Sequence, residues 1–83
     1  MYKYQDEKVT IFTDQGQRRF LAIRDHVNKL LDQAGAVRLQ EAISPLTGCT
    51  WHLMACVDRM VELGELREVT DSTVAGQHRI FTR

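Results

Sequence analysis

The sequence predicts a small α+β domain, and three observations carry that reading. Residues 17–34 and 50–63 repeat apolar side chains at helical spacing. Residues 9–13, 66–70 and 78–82 are runs rich in β-branched, aromatic and leucine side chains that read as strands. Gly35, Gly64 and the single proline, Pro45, punctuate the pieces. A chain of 83 residues holds one domain, with a thin core that buries about 60–65% of the unfolded surface.

The N-terminal stretch, residues 1–13, alternates Tyr2, Tyr4, Val9, Ile11 and Thr13 with polar neighbours and is expected as a strand. Asp14 then offers a helix cap, with Gln17 three residues on as its capping-box partner. The first helix is expected over 14–35. Its stripe of Phe20, Ile23, Val27, Leu30, Leu31 and Ala34 faces the core, and Gly35 suits the left-handed closing position. Residues 36–38 are too short for more than an extended bridge. A short second helix over 39–44 stops near Ser44, because Pro45 disfavours a helical residue before it. The third helix, 49–63, turns Leu53, Cys56, Val57, Met60 and Leu63 inward and leaves Trp51, His52, Ala55, Asp58, Arg59 and Glu62 outward or sideways. A hairpin over 66–82 with a loose tip at 71–77 ends the chain.

Charge excludes one class of function. Eleven Lys and Arg match eleven Asp and Glu, so a histone-like or polybasic binder is ruled out. No run of eighteen apolar residues predicts a membrane span, and the charged N-terminus lacks a leader's apolar segment. Cys49 and Cys56 stand seven apart, about 10 Å along a helix, beyond bridging distance. Reduced thiols in a cytoplasmic protein are expected.

The order of strand, long helix, short helix, long helix and hairpin resembles the winged helix-turn-helix domains of bacterial transcription regulators. Residues 53–66 are similar to that family's recognition helix and its glycine-closed entry into the wing. Residues 38–43 are similar to its second helix, and the likeness spans 17–83. Two features depart from the family pattern: Pro45 truncates the second helix, and His52 follows a bulky Trp51 where Ser or Thr is common.

The resemblance implies duplex DNA as partner, with the third helix in the major groove. Thr50, Trp51, His52, Ala55 and Arg59 would then face the bases, Arg59 reaching a guanine edge. Arg18, Arg19, Arg38, His78 and Arg79 would hold phosphates, and a homodimer would match a two-fold site. Against this stand Asp58 and Glu62 beside Arg59, and a tip without Lys or Arg between Asp71 and Gln77. The alternative is a protein-interaction or dimerisation module that uses Trp51, Met54, Val74, Tyr2 and Tyr4, since Trp and Met are enriched at contact surfaces.

Cys49, His52 and Cys56 share helical spacing, with His26 and His78 as further metal donors, but no paired-cysteine knuckle accompanies them and Cys56 belongs to the apolar stripe. No metal or other cofactor is expected. Nor is an enzyme, because the chain has no glycine-rich phosphate loop, nucleophile elbow or paired carboxylate with a base.

Overall fold

A computed structural model describes residues 1–70 and 78–83. In chain order the elements are α1 (Tyr4–Glu7), a 3-10 turn (Lys8–Phe12), α2 (Asp14–Ala34), β1 (Val37–Arg38), α3 (Leu39–Ile43), α4 (Thr50–Glu62), β2 (Arg67–Glu68) and β3 (Ile80–Thr82). The fold is α+β: among the described residues, four helices with a three-stranded antiparallel sheet in the order β1-β3-β2.

The two long helices form where their apolar stripes require them. On α2, Phe20, Ile23, Val27 and Leu31 are buried; on α4, Leu53, Cys56, Val57 and Met60 are buried against them. Gly35 closes α2 at φ 77°, its N–H donating to the Leu31 carbonyl at 2.8 Å. The cap at the other end is Thr13 rather than the expected Asp14: its hydroxyl accepts the Gly16 N–H at 2.9 Å. Asp14 is displaced into the first turn, where a carboxylate still suits the helix dipole.

The residue 36–38 bridge does more than connect. Val37 pairs with Phe81 and Arg38 with Ile80, so β3 is the central strand, with β2 on its other side through Arg67–Thr82 and Glu68–Phe81. The expected hairpin strands are trimmed to β2 and β3, and the tip, including Val74, lies outside the described residues. Phe81, fully buried, ties the sheet to the helical core.

Residues 1–13 correct the sequence reading. Residues 4–12 are helical, no part of the stretch is a strand, and both outer edges of the sheet lack a fourth strand among the described residues. Local bonds outcompete β propensity here: the Thr10 hydroxyl donates to the Glu7 carbonyl at 2.7 Å, and Asp6 and Glu7 N–H groups turn back onto the Lys3 carbonyl. Helical geometry sends Ile11 into the core, 1% exposed, and leaves Val9 69% exposed, whereas a strand would have aligned the two on one face.

Gly16 explains why this turn lies so close to α2. A Cβ there would stand 2.0 Å from the Thr10 carbonyl oxygen and 2.7 Å from the Ile11 backbone. Only a residue with no side chain lets the two segments meet.

Candidate functional site

The outward side of α4 is the surface the sequence singles out, and the chain's own N-terminus lies on it. Helical spacing puts His52, Ala55, Arg59 and Glu62 in one row, with Asp58 beside it. Residues 1–12 supply a partner to four of these five. The Tyr2 hydroxyl donates to Asp58 at 2.6 Å, and the Tyr4 hydroxyl and Lys8 Nζ donate to Glu62 at 2.9 and 2.7 Å. Glu7 lies 3.6 Å from His52, and the Arg59 guanidinium sits over the Phe12 ring at 5.3 Å. Ala55, in the middle of the row, has no exposed surface.

Ala55 therefore corrects the sequence reading: it was expected outward and is buried, because the N-terminal segment adds a second packing surface to α4. Leu63 departs in the opposite sense. Expected inward, it is 46% exposed, since α4 stops at Glu62 and Leu63 caps the helix.

The charged groups of this surface are mutually satisfied. Glu62 accepts from Lys8, Arg59 and Tyr4, which together pull its carboxyl down from 4.5 to about 2. Burial, then the Glu62 hydrogen bond, pushes the Tyr4 phenol up to about 12. Burial and the Asp58 bond likewise keep Tyr2 protonated. Arg79 reaches across from the start of β3: Nε and Nη2 donate to Glu68 at 2.9 and 2.8 Å, and Nη2 to Asp58 at 2.8 Å. The Glu68 bonds first, then those to Asp58, hold the guanidinium charged, while Glu68 is lowered in turn. Arg79, expected at phosphate, is consumed inside the molecule.

The remaining expected residues divide into three groups. Thr50 and Trp51 stay open at the N-terminal end of α4; Trp51 is 41% exposed and meets Tyr2 edge to face with ring centroids 6.3 Å apart. Met54 is half-buried beside them. Arg18 and Arg19 have no carboxylate partner among the described residues, and they line a groove of about 380 Å3 with Leu46, Gly48 and Leu53. Arg38 spends its backbone N–H on the Glu41 carboxylate at 3.0 Å and keeps its side chain exposed, as does His78.

The metal donors are dispersed. Cys56 is buried with its thiol pushed up to about 11 by that burial, Cys49 is exposed, and His52 faces Glu7. His26 Nε2 lies 3.0 Å from the Glu41 carbonyl. Among the described residues no three His, Cys, Asp or Glu side chains cluster as a metal site, and no helix is long and apolar enough to cross a membrane.

Sequence reasoning named Tyr2 and Tyr4 as contacts for a partner but missed that their segment covers α4 of its own chain. A faint signal was available: Tyr4 and Lys8 are four apart, the spacing at which two side chains of one helix reach a common partner. No family model, curated protein or solved structure is significantly similar to this chain.

Proposed function

We propose that this chain is a winged-helix module that works through contact with another protein, at the end of α4 formed by Trp51 and Met54. The winged-helix reading is supported by the element order from α2 to β3 and by the placement of β3 between β1 and β2. One observation carries the choice of a protein partner. The length of α4 that would lie in a major groove is already occupied by residues 1–12, with Ala55 buried and Arg59 and Arg79 engaged by carboxylates. What stays open at this end of α4 is Trp51, 41% exposed beside a half-buried Met54, in a chain of zero formal charge, the chemistry of a protein contact.

A second reading, duplex DNA binding, is favoured by Arg18 and Arg19, which have no carboxylate partner among the described residues and lie close to the turn before α4. DNA would then meet the tip of α4, Thr50 and Trp51, rather than its length. A photo-crosslinking residue at position 51, compared with one at exposed Lys29, separates the two. Protein adducts specific to position 51 are expected. Adducts equal at both positions, together with amide shifts at residues 18, 19 and 50–52 on adding a short duplex at low salt, would transfer the function to DNA.

A further inference from the structure

We infer that residues 1–8 are a displaceable strap, and that the α4 face beneath them is a docking surface for a partner helix carrying a cation and tyrosine hydroxyls. This rests on the reading of the chain as a protein-interaction module and names what its second, covered surface takes.

The strap and the segment that follows it are attached by different chemistry. Residue 11 is an anchor: Ile11 lies in the core, and the backbone at Thr10 and Ile11 abuts Gly16. Residues 1–8 have no fully buried anchor: Tyr4 packs half-buried against the core, and the Tyr2 ring meets Trp51 edge to face. None of α1 is buried, the helix has only four residues, and no side chain caps its start. Its hold on α4 is mainly polar, through Tyr2 on Asp58, Tyr4 and Lys8 on Glu62, and Glu7 near His52. Polar contacts at a surface exchange readily with water, so this segment belongs to the low-stability end of the molecule.

The strap also specifies its replacement. When it lifts, Glu62 loses two of its three donors and Asp58 loses the Tyr2 hydroxyl, while Arg79 stays on Asp58 from the other side. The uncovered row then presents an under-satisfied carboxylate at Glu62 and a half-satisfied one at Asp58. A segment that fits must bring a cation for Glu62 and hydroxyl donors for both acids. A helix with Tyr and Lys four residues apart does this, as residues 4 and 8 do now. An acidic peptide or a phosphate backbone meets two carboxylates and is repelled.

The test uses the full chain and its Lys8→Glu variant, which turns one of the strap's attachments into a repulsion while leaving the core untouched. A synthetic peptide of residues 1–8 is the probe for the partner helix, titrated against each isotope-labelled protein. The variant is expected to bind it at least about tenfold more tightly than the native chain, with amide shifts at residues 52–62, because the cis strap competes less. The same peptide carrying Glu at position 8 should not shift those residues. Equal affinity for both proteins, or no shifts at 52–62 in either, overturns the proposal. So does a dimeric mass of the native chain that Lys8→Glu abolishes, which would assign the face to a second copy. None of these outcomes bears on crosslinking at position 51, so the two proposals fail separately.

Discussion

Helix α4 is held on two sides by opposite kinds of chemistry. Toward α2 and the sheet it meets a closed apolar core in which Leu53, Cys56, Val57, Met60 and Phe81 are at most 3% exposed. Toward residues 1–8 it meets mostly hydroxyls, ammonium and carboxylates at half-exposed positions. The first contact is non-directional and scales with area; the second is directional and depends on the protonation of each group. The difference teaches where this small domain keeps its stability and where it keeps a surface that can change.

The largest effect belongs to the apolar side. Phe81→Ala should cost about 3–5 kcal/mol in urea unfolding, enough to leave a domain of this size largely unfolded. A cost under about 1 kcal/mol would mean that the sheet does not share the helical core. Arg79→Met comes next, because it leaves Asp58 and Glu68 without their shared cation at partly buried positions. The expected loss is about 1.5–3 kcal/mol, read in the same experiment.

Gly16→Ala probes the joint between the two sides. Alanine favours a helix, yet its Cβ collides with the Thr10 carbonyl, so a net loss of about 1–3 kcal/mol is expected from overpacking. Contacts of Tyr2 and Tyr4 with α4 should weaken in its NMR spectra while those between α2 and α4 persist. A uniform loss of both would show that the N-terminal segment and the core are one cooperative unit.

The smallest effect is confined to the polar side and depends on pH. The Glu62 carboxyl is lowered in the folded chain, so its contribution is complete above its ordinary value of 4.5 and is lost as pH falls toward about 2. The Tyr4 ring resonances should therefore move between pH 5 and 2, and Glu62→Gln should remove that movement. A Tyr4 signal that titrates unchanged in the variant would detach Tyr4 from Glu62.

What was legible in the sequence follows the same division. The stripes of α2 and α4, apart from their last residues Ala34 and Leu63, which are exposed, the stop at Pro45 and the glycine closing α2 were readable because each depends on spacing within one element. The β1–β3 pairing was not, since two residues such as Val37 and Arg38 carry no period. The N-terminus was misread because its β-branched run mimics a strand, while local hydroxyl and backbone bonds turn it helical and its partners Asp58 and Glu62 lie far away in sequence. The burial of Ala55 follows from that same error. An amphipathic pattern marks one packing face of a helix and is silent about a second one covered by polar groups.

The covering of α4 by residues 1–12 is tested most directly by nuclear Overhauser contacts in the full native chain at neutral pH. Cross-peaks from the Tyr2 ring to the Trp51 indole and from the Tyr4 ring to the Glu62 side chain should be present, alongside those of Phe12 to Arg59. A Tyr2 ring with no contact to Trp51 and an Ala55 methyl that broadens at once with a soluble paramagnet would mean an open helix face, free to enter a groove.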